Sequence, residues 1–433
     1  MPTHRRTFLK TAAAAAAVPL VPNRSAAAAP DDAASTHATS PPVRKLTRGP
    51  KFHWFGYYDK WQFSLDDTLC LGMEVGFEGR SPRPDDEIEV GMINLADNDA
   101  WTPLGTTTAW SWQQGCMLQW LPQEKPSPDP IVVYNIRQSD RFASVRLNVR
   151  TGQSDTLPAP INAVTPDGLT AVSADFRRIQ DMRPGYGYAG LVDPYRDDMA
   201  PKETGISRLD LQSGQVELVL SLAEIAAFDK PHPTMSGAKH YANHLLCGPD
   251  GKRFVFLHRW RPDGGKGPFM TRMLTANLDG SDLFVLDPSG HTSHFIWRDA
   301  EHVLAWTRPK GRPDGFYLFR DKTDAVVQVG ARAMPFNGHC TYLPLPGAEW
   351  ILNDTYPRGP QREQTVYLYH VPTHRRIDLG AFPAPPRYTG EWRCDTHPRY
   401  SRDGTKVCID STHGGDGRQL YLIDIAEIVA GKK

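Results

Sequence analysis

Four histidines recur in the C-terminal two thirds of the chain at comparable intervals: His244, His294, His339 and His397 stand 50, 45 and 58 residues apart. Each introduces a strand-like stretch, so units of one repeating architecture would bring all four to the same place. Imidazoles that converge on one channel make a divalent-metal site, in competition with a structural role in which each ring bonds a neighbouring unit. Two cysteines stand beside these histidines, in Gly338-His339-Cys340 and in Cys394-Asp395-Thr396-His397. A thiolate ligand from Cys394 or Cys340 favours Zn²⁺, and oxygen ligands alone favour Mn²⁺ or Ca²⁺. His53, His240, His258 and His291 read as surface or supporting groups.

A second group able to do chemistry runs from Asp175-Phe176-Arg177-Arg178 through Arg183-Pro184-Gly185-Tyr186-Gly187-Tyr188 to Gly205-Ile206-Ser207-Arg208. An arginine grips a carboxylate by two parallel hydrogen bonds, and a tyrosine beside a guanidinium ionises more easily. Together they supply what elimination next to a uronate carboxylate requires: charge neutralisation, a base for the C5 proton and an acid for the leaving oxygen. Tyr58, Gln114 and Asn135 place aromatic and amide groups among Trp54 and Trp112, a mixture that suits the apolar face and polar rim of a sugar, although ring packing between units competes for the tryptophans. Glu74, Glu78 and Asp59 are carboxylates that hydrolysis could use, at no diagnostic spacing.

The elements that must position these groups announce themselves as a repeat. Ser64-Leu65-Asp66-Asp67, Thr165-Pro166-Asp167-Gly168, Gly248-Pro249-Asp250-Gly251 and Ser401-Arg402-Asp403-Gly404 each precede an apolar strand. Second turns such as Arg150-Thr151-Gly152 and Ser213-Gly214 lie between them, and two hairpins per unit make a four-stranded blade. With His53, Gln113, Asn162, His244, His294, His339 and His397 as unit starts, seven units fit, and the long third interval holds the Arg- and Tyr-bearing segment as an inserted loop. The chain is therefore expected to be all-β, a seven-bladed β-propeller over residues 44–433, with Val43 to Leu46 closing the last blade.

Composition agrees. Of 433 residues, 36 Gly and 38 Pro disfavour long helices, and 11 Trp with 40% hydrophobic residues can fill a large core. Lys plus Arg and Asp plus Glu both number 49, so no global field points to nucleic acid or an anionic membrane, and an acidic ligand needs a local patch. Six cysteines are too few for a disulfide scaffold and read as buried thiols. Arg5-Arg6-Thr7-Phe8-Leu9-Lys10, a weakly apolar run and the small residues Ser25 to Ala29 form a twin-arginine export signal over residues 1–29, followed by a disordered linker over 30–43. No later segment is apolar enough to span a bilayer, so the expected product is periplasmic or secreted, and monomeric.

These residues resemble the propeller-type polysaccharide lyases, the ulvan lyases in particular and the oligogalacturonate lyases more distantly, over nearly the whole mature chain. The resemblance rests on Arg183 to Tyr188 with Arg208, Leu257-His258-Arg259-Trp260, Ser293-His294, Gly338-His339 and Arg393 to Arg399. It implies that Tyr188, or Tyr186, is the acid and base, that Arg208 neutralises the carboxylate, and that a structural zinc is held among His244, His294, His339, His397 and Cys394; Gln114, Asn135, Arg183 and Tyr58 are, by their residue types, the expected substrate contacts. The expected partner is an acidic polysaccharide or oligosaccharide. One departure stands out: where those lyases use histidines of early blades, this chain carries Gln113-Gln114 and Asn135, and an amide cannot be a general base. Tyr188 then performs both proton transfers, or the propeller is a glycoside hydrolase, or it binds glycans without turnover.

Overall fold

The computed structural model describes residues 40–122, 130–229 and 231–431, so the export signal and most of the linker lie outside the described residues. Among the described residues twenty-eight strands form seven four-stranded antiparallel sheets, arranged as the blades of a β-propeller. Six blades are consecutive in sequence, their first strands being Phe52–Trp54, Gln119–Trp120, Ala163–Val164, Lys239–Cys247, Phe295–Asp299 and Thr341–Tyr342. The seventh runs Arg399–Tyr400, Lys406–Ser411 and Gln419–Asp424, and takes its outer strand from the other end of the chain. There Val43 pairs Ile423 and Lys45 pairs Tyr421, so the ring is closed by the segment the sequence assigned to it.

The repeated turns have a common physical cause. At the four turns quoted from the sequence an Asp carboxylate accepts the backbone N–H two residues on, as Asp66 does from Thr68, Asp167 from Leu169, Asp250 from Lys252 and Asp403 from Thr405. The following residue takes the left-handed backbone that such a turn needs, with Gly168, Gly251 and Gly404 all at φ 70°. The blades bury their faces against one another. Trp54, Trp110 and Trp112 pack mutually at ring separations of 5.0 to 5.5 Å and are sealed from solvent, so these tryptophans are core and not sugar platforms.

The third blade carries the expected insertion, between strands Thr170–Ala174 and Gly205–Asp210. It opens with a helix, Phe176–Met182, capped by the Asp175 carboxylate on the N–H of Arg177. Arg178, fully buried, bonds Asp193 and the carbonyls of His240, Tyr195, Asp198 and Met199, which fastens the insertion to the fourth blade. The helix therefore delivers the segment after it, Arg183 to Tyr186, over the propeller channel.

Candidate active site and metal centre

Three of the repeated histidines meet where the inner strands begin. The rings of His294 and His339 lie 4.3 Å apart and those of His339 and His397 4.2 Å apart. Ligand atoms of His339, Asp395 and His397 all fall within 4.8 Å of one another, and all three residues are buried. The rings are set to present a lone-pair nitrogen. Asp354 accepts from Nδ1 of His339 at 3.0 Å, and Asn337 Oδ1 from Nδ1 of His294 at 2.9 Å, which leaves Nε2 of each as the lone-pair nitrogen, that of His294 meeting the Tyr356 hydroxyl at 3.4 Å. Nε2 of His397 is buried without a partner. Burial and the neighbouring imidazole of His339 hold His294 and His397 well below the usual histidine range, so both are neutral, as metal ligands must be. His397 sits on left-handed backbone at φ 39°, a strain that functional positions retain.

His244 joins the site but not this cluster. A bulge after Asn243 and a φ of 52° re-aim its ring, which stacks on Tyr57 at 4.8 Å and accepts from the Gln114 amide at Nδ1, 3.0 Å away. Tyr57 is the wedge between the two groups, since its ring also lies 5.3 Å from that of His397. Burial first, then the charge of Arg183, keeps His244 neutral.

The thiol expected to complete the metal site is elsewhere. Arg393 and Asp395 share a face and pair at 2.7 Å, while the buried Cys394 between them is turned toward the charges of Arg418, Asp410 and Glu78. Burial pushes the thiols of Cys394 and Cys340 far up, where neither is a thiolate. The donor set at the cluster is imidazole and carboxylate, with no sulfur ligand to select zinc.

Beside the histidines opens a cavity of about 240 Å³ whose walls include Arg183, Tyr186, His244, Arg259, His294 and Tyr356. Tyr186 is held by two guanidiniums, accepting from Arg183 at 3.1 Å and from Arg393 at 2.5 Å. Burial pushes its pKa up, but Arg183 and Arg393 outweigh burial, and the phenol ends below the usual tyrosine range. Nη1 of Arg183 and both Nε and Nη1 of Arg259 are buried with no partner. Both arginines line the cavity, and buried cationic donors without a partner are costly unless an anion takes them, which suits this wall to an anionic group.

The other expected site residues are not brought here. Tyr188 is sealed in the core, stacked on Phe176 at 4.1 Å and 4°, with its hydroxyl taken by Asn135 at 2.9 Å. Burial drives its pKa well up, the opposite of what a base needs. Arg208 lies on a strand of the third blade, bonded to Glu217 on the exposed surface, where it neutralises nothing in the cavity. Asn135 ties Ile161 and Tyr188 together and is structural. Tyr58, also buried, donates to the Phe295 carbonyl and packs 5.4 Å from His339, supporting that ring from below the cavity. Of the carboxylates considered for hydrolysis, Glu74 is paired with Lys51 and His53, Glu78 with Tyr388 and Arg418, and Asp59 with Lys60. Arg259, Arg393 and Asp395 stood in the motifs quoted from the sequence without a role of their own, and Asp354 and Tyr356 were not singled out there. Asp395 also carried a local signal, its place two residues before His397.

Comparison with known proteins agrees with this picture at the level of the fold. Residues 2–22 match the signal-sequence model of the twin-arginine translocation pathway, which addresses the chain for export. No helix of the described residues is long and apolar enough to cross a membrane. No curated protein matches the sequence. Among solved structures the chain is similar to an oligogalacturonate lyase from Vibrio parahaemolyticus, with 14% identity, a TM-score of 0.61 and coverage of 90% of this chain and 96% of that one. It is equally similar to an oligogalacturonate lyase in complex with manganese, at 15% identity, a TM-score of 0.61 and coverage of 91% and 96%. The more distant of the two resemblances seen in the sequence is thus the one that the fold comparison carries.

Proposed function

We propose that this exported propeller is a lyase that cleaves an acidic, uronate-containing saccharide by β-elimination. The observation that carries the reading is the cavity wall itself: partnerless guanidinium nitrogens of Arg183 and Arg259 beside a tyrosine whose ionised form is favoured. The two arginines hold the uronate carboxylate and spread its charge, which acidifies the proton on the neighbouring carbon. Tyr186, as the phenolate, takes that proton. Tyr186, then a phenol, returns that proton to the departing oxygen, and His244, neutral and accepting from Gln114 at Nδ1, hydrogen-bonds the same oxygen through its Nε2–H. Gln114 acts here by fixing a tautomer, a role an amide can fill although it cannot be the base.

The fold neighbour with manganese and the geometry of the cluster support a divalent cation in this chain as well, held by His294, His339, His397 and Asp395. Bound there, such an ion supplies Lewis acidity to an acidic group of the substrate. Imidazole and carboxylate donors without thiolate suit Mn²⁺ at least as well as Zn²⁺.

The test is a panel of uronate polymers and oligomers, including ulvan and oligogalacturonate, followed at the ultraviolet band of a 4,5-unsaturated uronate. Turnover that Tyr186→Phe abolishes and Tyr188→Phe spares supports the reading. Release of reducing ends without the chromophore overturns it in favour of hydrolysis.

A further inference from the structure

Two of the exposed large hydrophobic side chains are aromatic, Phe269 at 39% and Phe336 at 37% exposure. Phe269 is part of the cavity wall, at the start of the strand Met270–Asn277. Phe336 precedes Asn337, which bonds His294 and Ser293, two further residues of that wall. One ring thus belongs to the wall itself, from the fourth blade, and the other stands in the connection into the sixth blade, next in the chain to the residue that braces His294 and Ser293.

Each ring is backed by arginine. The guanidinium of Arg358 lies 3.4 Å over Phe336, and those of Arg183, Arg259 and Arg261 lie 4.6, 4.9 and 5.6 Å from the centre of Phe269. An exposed phenyl ring costs free energy in water. A phenyl ring held in place by a guanidinium, with area left open, has the two features an acidic sugar requires: an apolar surface for the C–H face of the pyranose and a cation within reach of its carboxylate. A cavity of about 240 Å³ accommodates about one sugar residue, so neighbouring residues of a chain must lie outside it.

Resting on the lyase reading above, we propose that Phe269 and Phe336 are stacking platforms for the sugar residues on either side of the cleaved one, and that the substrate is a chain of at least three residues bound across the mouth. Chain length then enters through these two rings, and short saccharides forgo their contribution.

The experiment compares wild type with Phe269→Ala, Phe336→Ala and the double variant, with Val327→Ala, exposed and away from the mouth, as control. Elimination is measured on the shortest cleavable saccharide and on long chains. In parallel, each protein is run through gels containing uronate polymer or neutral polymer, which reads binding without turnover. The expected result is a drop of about tenfold per ring in the long-to-short ratio of kcat/KM, partly restored by Phe269→Trp, with loss of retardation by the acidic polymer. Elimination by wild type with an unchanged ratio in the double variant overturns the platforms and leaves the lyase reading intact. Retardation that the variants lose, without elimination by any of them, overturns the lyase reading and retains the platforms. Equal migration of all variants in acidic and neutral gels, again without elimination, overturns both.

Discussion

Arg183→Gln is the substitution that most directly interrogates the proposed base. Arg183 donates to the Tyr186 hydroxyl at 3.1 Å and its guanidinium sits 4.0 Å over the ring, and its charge is the largest influence opposing burial of the phenol. Two unit charges about 4 Å apart attract by about 4 kcal/mol at an effective dielectric constant near 20. At 1.36 kcal/mol per pH unit that is a ceiling of about three units. Arg393 still donates to the same oxygen at 2.5 Å, and water enters the vacated space, so the expected displacement is about one to two units. The sign follows from the role: the phenolate is the active form, rate rises as pH climbs through its pKa, and loss of a cation moves that limb to higher pH. At neutral pH the variant then loses about ten- to a hundredfold in kcat/KM beyond the binding defect. The assay is the pH profile of kcat/KM on a uronate saccharide, joined to ultraviolet difference titration of tyrosinate in the apo proteins with Tyr186→Phe as blank. A profile that drops in height without moving would refute the reasoning, because Arg183 would then bind the substrate only and the titrating base would be another group.

Three further outcomes are expected. Metal analysis of purified protein should show that His339→Ala and His397→Ala lose the bound cation while Cys394→Ala retains it, and loss of metal from the cysteine variant would return sulfur to the donor set. Tyr188→Phe should cost about 1 kcal/mol in denaturant unfolding, for the single hydrogen bond from Asn135, and leave kcat unchanged; a catalytic loss near that of Tyr186→Phe would contradict its core placement. Arg399→Met should destabilise by about 3–5 kcal/mol, because it leaves the buried Asp410 carboxylate without the guanidinium 2.7 Å away, and a variant as stable as wild type would show that the seam between the first and last blades tolerates an unpaired charge.

Several features were legible in the chain alone, and they are the local ones. The Asp-Gly turns and the seven-fold recurrence follow from short-range signals, since a carboxylate that caps its own turn and a glycine at positive φ act within four residues, and the pairing of Val43 with the last blade follows from the strand that the last repeat lacks. The repeated positions of His294, His339 and His397 likewise carried their meeting, because equivalent places in a repeat become neighbours when the ring closes. The partition of roles within Arg183 to Arg208 was not legible. Tyr186 and Tyr188 are two residues apart and chemically alike, yet one is caught between Arg183 and Arg393 and the other stacks on Phe176. Arg178 and Arg183 share one helix and its cap, and the first is consumed in fastening the insertion. Cys394 lost to Asp395 as the residue facing His397 because neighbouring side chains turn to opposite sides, a choice made by which blade each one meets. Arginine, tyrosine and carboxylate chemistry depends on the charges within a few ångströms, and here those come from residues such as Arg393, about two hundred positions away in the chain. The sequence by itself determined the scaffold and the rank of histidines, and only the tertiary structure decided which tyrosine is ionisable, which arginines are unspent and which donors face one another.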